Sequence, residues 1–401
     1  MTNLFLYDDA RSRTFEPFAL TRPVSELRAG VSLIRRRWEH ALSATATGSI
    51  TAAHLAGFDE PGAPPVWQES VPSGSILANS RCVPAVGATT DADVWTCAGR
   101  VAAVRVSRSV PADEMAGGLA ELEALASPAA RRVELAGRWL DEVWSLIVDL
   151  LWQLGDDIRA IGPRLECVTP EATVLGDHHV FVEAGASIEP HVVLDVLAGP
   201  ILVRRGATIR AFTRIVGPCA VSSGATVLGD RVHGCSIGEG SIVRGEISEC
   251  IVLGNANKTH DGFVGHSYLG RWVNLGAGTI TSNLKNTYGT VSLWTPGGMR
   301  DTGVLKLGTM FGDHVKTGIG LRLTTGSVIG AGSNVYGSQM PPKYVPPFSW
   351  GEGADLREYQ LEKFLVTVER SMSRRQQTLG AGARRQLTQA YARSRSAGAV
   401  E

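Results

Sequence analysis

Aliphatic residues recur at a six-residue interval at Val203, Ile209, Ile215, Val221 and Val227, with Gly or small residues between them, as in VRRGAT-IRAFTR-IVGPCA-VSSGAT-V. The same spacing relates Val174 to Val180, Ile188 to Leu194, Ile237 to Val243, and Phe263 to Leu269 to Leu275. No helix has that period. Hexad repeats mark a parallel β-helix, in which each hexad supplies one short strand and one corner. The aliphatic residue points into the prism and a small residue permits the bend. Three hexads close one turn of the left-handed form, so Val203 and Val221 are expected to stack on one face.

The array runs from about residue 168 to 340 and breaks after Thr281, where SNLKNTYGTVSLWTPGGMR (282–300) carries no hexads and reads as an excursion. Repeats resume near Leu305. Upstream, Leu4-Phe5-Leu6-Tyr7 reads as a buried strand opening an α/β (Rossmann-like) domain, with a helix over about 30–41 and strands near 75–77 and 100–106. Helices are expected over 112–126, after Pro111, and over 140–161, before Gly162-Pro163. Downstream, helical patterns cover 355–377 and 383–395, with Arg374, Arg375, Arg384 and Arg385 on a solvated face. The expected domains are therefore 1–165, 166–345 and a helical tail, 346–401.

Lys and Arg together number 39 and Asp and Glu 39, so no overall charge draws this chain to nucleic acid or to an anionic membrane. Small molecules and copies of the chain are the expected partners. The 6 Cys are scattered without a C-x-x-C pair, which suggests neither a zinc knuckle nor a disulfide framework. MTNLFLYDD has no basic region followed by an apolar segment, and the apolar run 143–154 is short and interrupted by Asp149. A cytoplasmic protein without membrane insertion is the expectation.

Chemistry-bearing residues gather in two places. The stretch Asn255–Leu293 concentrates Lys258, His260, His266 and several Asn among small residues. Near the N-terminus, Asp8-Asp9 are followed by Arg13, Arg22 and Arg28. Guanidinium forks suit phosphate oxygens and paired Asp suits Mg²⁺, although Arg-rich turns equally make structural ion pairs.

The sequence around His260 resembles the left-handed β-helix acyltransferases, and more closely the bifunctional N-acetylglucosamine-1-phosphate uridyltransferase/glucosamine-1-phosphate acetyltransferase family. His260 lies fourteen residues before Asn274 of NLGAGTITSN, the distance at which that family carries its catalytic His. FLYDD, PFALTRPVSELRAG, NSRCVP, GNANKTHDGF, SNLKN and PPFSWG resemble a bacterial branch of sugar nucleotidyltransferases joined to such a β-helix.

The resemblance implies two activities: acetyl-CoA-dependent N-acetylation of an amino-sugar 1-phosphate, and Mg²⁺-assisted nucleotidyl transfer from a nucleoside triphosphate to the sugar phosphate. It makes His260 the general base, an imidazole being suited to that task near neutral pH. Asn274 and Asn283 match sugar contacts, and Phe263 stands where the family has a substrate-touching Tyr. Ala277 matches a backbone contact to acetyl-CoA, Gly330 and Ala331 the pantetheine groove, and amides near 276–278 an oxyanion site. Arg244 and Lys258 are candidates for the sugar phosphate by charge and proximity. A homotrimer is implied, the excursion of one subunit covering the coils of the next, and cell-envelope precursor synthesis is the implied setting.

This chain departs from the family pattern at Leu284, Lys285 and Ser248, where Tyr, Asp and Lys are expected. It also lacks the Gly-rich turn of nucleotidyltransferases, carrying Asp8-Asp9-Ala10-Arg11-Ser12-Arg13-Thr14 instead, so Asp8, Asp9, Arg13, Arg22 and Arg28 are the remaining nucleotide-site candidates. Three other readings stand beside this one: a single surviving activity with the other domain a scaffold, a non-catalytic scaffold throughout, or a zinc enzyme resembling gamma-class carbonic anhydrases. Against the last, His260 and His266 are separated by five residues where those enzymes show four.

Overall fold

A computed structural model describes residues 3–397; the outermost bounds of the expected domains, 1 and 401, lie outside them. The chain divides into two compact units, one of residues 1–143 with 379–401 and one of residues 144–378.

In the first unit, Leu4–Tyr7 lies between the parallel strands Ala46–Ile50 and Ile76–Asn79. The sheet continues through Arg100–Arg105, Val94–Cys97 and Arg132–Glu134. Phe5, Tyr7, Leu77, Val94 and Val104 are buried in its core. Helix α1, Ile34–Ala41, is shorter than the sequence suggested because Ser32–Leu33 pairs as a strand with Arg28–Ala29. The helix expected over 112–126 does not form. Gly117 and Gly118 take φ of 69° and 77°, so the segment is two 3₁₀ turns, Ala116–Gly118 and Leu122–Leu125.

The second unit is an α/β-independent structure: a left-handed parallel β-helix of about ten turns, entered through helices α2, Ser145–Val148, and α3, Leu150–Ile161. The apolar helix read as closing the N-terminal domain thus belongs to the solenoid unit. Val203 does pair in register with Val221, and the next turns repeat the pairing through Ile237, Val252 and Leu269. The three faces are stacks of short strands around a ladder of buried Val, Ile, Leu and Cys. Each such aliphatic side chain contributes roughly 1.5–3 kcal/mol on burial.

The excursion leaves after Ile280–Thr281 and returns at Met310–Phe311, which pairs with Tyr268–Leu269. Within it Ser292–Thr295 and Gly298–Asp301 form a hairpin. That hairpin folds back on its own solenoid: Trp294 stacks on Tyr344 with centroids 3.6 Å apart, and Lys343 donates to the Ser292 carbonyl at 2.7 Å. PPFSWG extends the β-helix rather than the tail, since Ser349–Glu352 pairs with Asn334–Tyr336 and with Asp355–Glu358. Helix α4, Leu361–Ser373, then packs Phe364 against Phe348 of the solenoid. Helix α5, Ala381–Ala397, belongs to the first unit, where Leu387 and Ala390 are buried and Gln386 donates to the Thr21 carbonyl. Among the described residues no helix is long and apolar enough to cross a membrane.

Candidate active site on the β-helix

His260 stands at a corner just past the strand Asn257–Lys258 and is exposed. Its ring makes no hydrogen bond among the described residues, and the adjacent Asp261 is exposed as well. This corner stacks under the next turn of the solenoid. Gly278 N–H donates to the Asp261 carbonyl at 3.3 Å, and a Cβ on Gly262 would meet the Thr279 carbonyl oxygen at 2.4 Å. Glycine at 262, with φ 115°, is what permits this approach. Asp261, Gly262 and Phe263 line one end of a groove of about 840 Å³ that continues past Gly245, Glu246, Asp230, Arg231, Arg214 and Phe212 to His191.

The carried-over residues separate into three groups. Phe263 lies in this groove, but Asn274 does not: its side-chain Oδ1 accepts from Asn257 Nδ2 at 2.9 Å, and it lines another pocket, under α4. Asn283 is held by His266, its Nδ2 donating to His266 Nδ1 at 2.9 Å.

Neither sugar-phosphate candidate chosen by charge is free. Lys258 is 3 % exposed, and its ammonium donates to the carbonyls of Arg244 at 2.8 Å and His260 at 2.9 Å. Burial, partly offset by Asp261, brings its pKa down to about 8. It is a clamp on the backbone of the His260 corner. Arg244 is paired with Asp230 at 3.2 Å. Replacing Lys258 with Met should therefore lower thermal stability, by about 1–3 kcal/mol from two buried carbonyls left without a donor. The KM for sugar phosphate should stay unchanged, which steady-state kinetics would check.

Gly330 and Ala331 are buried beneath Pro346, Pro347 and Phe348, so they line no open groove within this chain. Ala277 remains partly open, beside exposed Ile319. Of the backbone amides at 276–278, Gly276 donates to Thr317 and Gly278 to Asp261. Ala277 N–H is the one left for an oxyanion.

Sequence reasoning missed a buried polar relay behind the groove. His266, at φ 48°, places Nε2 3.2 Å from Glu249 Oε2 while Nδ1 accepts from Asn283. The hydrogen bond from His266 holds the Glu249 carboxyl below its usual range. His233 Nδ1 lies 3.1 Å from Ser248 Oγ, and burial pushes the His233 pKa down. His266, one of the two His behind the zinc reading, has both ring nitrogens engaged. The described residues include no group of His, Cys, Asp and Glu arranged to hold a metal. The only sequence signal was Ser248 and Glu249 standing seventeen residues before Gly265 and His266, one turn of the solenoid.

In the first unit the expected nucleotide ligands are turned inward. Asp9 accepts from Arg81 Nε at 2.9 Å and Nη2 at 2.6 Å, from Asn79 Nδ2 at 2.9 Å and from Ser12 N–H at 2.8 Å. Burial would raise its carboxyl, but the Arg81 hydrogen bonds and charge, with Asn79 and Ser12, bring it down to about 2. Asp8 is 3 % exposed and accepts from Thr51 Oγ1 at 2.6 Å and Val24 N–H at 3.1 Å; burial raises its pKa. Arg22 is bidentate to Glu60, Arg28 donates to the Val31 carbonyl, and Arg13 donates to the Asp8 carbonyl at 3.2 Å. The turn itself offers no amide cradle. Ala10 N–H donates to Gly118, Ser12 to the Asp9 side chain, Arg13 to Asp9 and Thr14 to Arg11.

The chain is similar in part to several known proteins. Residues 4–164 match the family described as sugar nucleotidyl transferase. Over 218 residues the chain is 26 % identical to a bifunctional sugar-1-phosphate nucleotidylyltransferase/acetyltransferase of Sulfurisphaera tokodaii, covering 51 % of this chain and 46 % of that protein. It is 31 % identical over 191 residues to the bifunctional protein GlmU of Desulfitobacterium hafniense, covering 41 % and 38 %. The chain thus spans less than half the length of these relatives. An Arabidopsis UDP-N-acetylglucosamine acyltransferase structure aligns over 52 % of this chain and 77 % of that chain, at 15 % identity and a TM-score of 0.26.

Proposed function

We propose that the β-helix transfers an acetyl group from acetyl-CoA to the amine of an amino-sugar 1-phosphate, and that the first unit transfers a nucleotidyl group to the sugar phosphate. The observation that carries the first activity is the unpaired His260 with its neighbour Asp261 at the end of a groove bearing Asp230, Glu246 and Phe263. The groove carries charges of both signs, Asp230 being paired with Arg244 and Glu246 with Arg231, and Asp261 beside His260 is the carboxylate that would meet the acceptor's ammonium. His260 takes a proton from the sugar amine as its nitrogen attacks the thioester carbonyl. The new C–N bond forms, the C–S bond breaks and the thiolate leaves with a proton. Ala277 N–H, which makes no hydrogen bond among the described residues, would be the donor to the developing oxyanion. The lost charge contacts at Lys258 and Arg244 leave sugar identity to the groove rather than to the phosphate.

The second activity rests on the sugar nucleotidyl transferase match over residues 4–164. Mg²⁺ would neutralise the triphosphate there. Its ligands would come largely from outside the Asp8–Thr14 turn, where Asp9 and most of the amides are already bonded, although Asp8 Oδ1 is buried without a hydrogen bond among the described residues. That same observation favours a second reading, in which acetyl transfer is the only surviving chemistry. We place the protein in the cytoplasm as a homotrimer in which a groove of one copy meets another copy.

Two assays on the purified protein with glucosamine 1-phosphate decide between these readings. Thiol release from acetyl-CoA together with pyrophosphate release from UTP or dTTP is the expected result. Thiol release alone would select the second reading. Pyrophosphate release alone would reduce the β-helix to a scaffold.

A further inference from the structure

Beneath helix α4 lies a pocket of about 490 Å³, built wholly within the solenoid unit. One wall is the outer surface of a solenoid face, carrying Asn257, Asn274 and Lys316 on three successive turns. The other wall is α4, where Thr367, Arg370, Ser371 and Arg374 recur at i, i+3, i+4 and i+7 and so share one side of the helix. Arg375 closes the end, its guanidinium donating to the Gly240 carbonyl at 2.5 Å. Four cations line the pocket and no carboxylate does.

The bland explanation covers only part of this. Cations near the C-terminus of a helix complement its dipole, which accounts for Arg370 and Arg374. It does not account for Lys316 on the opposite wall. The Lys316 ammonium is anchored on the Trp272 carbonyl at 2.6 Å, and burial lowers its pKa to about 8. Burial likewise lowers Arg375, with Arg374 adding to the effect by its like charge. Arg370 and Arg374 make no ion pair among the described residues. Lys316 and Arg375, both partly desolvated, face the exposed Arg370 and Arg374 across the cavity, and like charges so arranged repel unless an anion lies between them. The Asn side chains add neutral donors, and the volume suits a small molecule.

We propose that this pocket binds a small phosphate-bearing molecule, its phosphate held between Arg370 and Arg374 of α4 and Lys316 of the solenoid. Guanidinium forks recognise phosphate oxygens in pairs, and the ammonium supplies a point charge from the other side. The phosphate could arrive as free pyrophosphate, on a sugar or on a nucleoside, and the site does not depend on acyl transfer at His260.

Calorimetric titration of the full chain with pyrophosphate, glucosamine 1-phosphate and adenosine 3′,5′-bisphosphate tests this and separates the three sources. At least one should bind, and its Kd should rise about 10-fold or more in the Arg370→Ala/Arg374→Ala double variant. Both arginines lie on an exposed or half-open helix surface, so this variant should melt with the wild type. Lys316→Met should weaken the same ligand; if it fails to fold, the α4 variant still decides. His260→Ala should bind as the wild type does, which keeps this site separable from the acyl-transfer reading. Absence of binding by all three at millimolar concentration, or an unchanged Kd in the α4 variant, would overturn the assignment.

Discussion

Replacing His260 with alanine should lower the acetyl-transfer rate by about 10²-fold or more while leaving the melting temperature where it was. The two halves of that expectation have different origins. The imidazole is exposed and makes no hydrogen bond among the described residues, so its removal exposes no cavity and orphans no partner there. What holds the corner in shape is the backbone: Lys258 grips the His260 carbonyl, and Gly278 bonds the Asp261 carbonyl from the turn above. A rate loss in a protein that melts normally would then report proton transfer alone. Thiol release and thermal melting on the same preparation check both halves, and an unchanged rate would remove His260 from the chemistry.

The second large effect is expected at Asp9. Asp9→Ala would leave Arg81, whose side chain is 7 % exposed, without the carboxylate that binds two of its nitrogens. Arg81 keeps the Leu140 carbonyl at 3.2 Å and Asp141 at 3.4 Å, so the loss should fall at or below the about 3–5 kcal/mol of a fully orphaned buried charge. The loss should be seen as reduced hydrogen-exchange protection of Leu4–Tyr7 in the full chain. The pH dependence has a defined sign. The Asp9 carboxyl sits at about 2 in the folded chain against a reference of 3.8, so the unfolded chain takes up the proton first as the pH falls. The pair's stabilisation is complete above pH ~4 and fades as the pH falls toward 2. An Asp9 variant of normal stability that had lost Mg²⁺-dependent pyrophosphate release would instead make Asp9 a metal ligand.

The contrast between these two sites shows what a sequence carries. The hexads were legible because burial inside a narrow prism imposes a strict period, and Val203 opposite Val221 follows from arithmetic alone. His260 stood out only through a resemblance, its fourteen-residue distance to Asn274, and the exposed corner it occupies could not be read from that spacing. Side-chain partners were not. The decapeptide from Thr21 to Gly30 is buried throughout, and its arginines meet Glu60 and the Val31 carbonyl rather than a ligand. Nothing local in an Arg-rich turn separates those outcomes, since the deciding partners lie far along the chain. Arg374 is exposed, as its helical spacing suggested, but only the solenoid face opposite shows that it and Arg375, just past the end of α4, border a pocket. The His266 relay was hidden because its partners lie one solenoid turn away, at separations of seventeen residues.

Helix α5 adds a constraint on the order of events during synthesis. The unit that begins at Leu4 includes residues 379–397, which pack against the turn Ala53–Leu55 and bond the Thr21 carbonyl, and the whole β-helix is translated in between. The nascent first unit must therefore wait, with the surface beneath Leu387 and Ala390 open to water, until the solenoid has left the ribosome. Winding of the β-helix, which can proceed turn by turn as each strand emerges, sets the interval over which that surface needs protection.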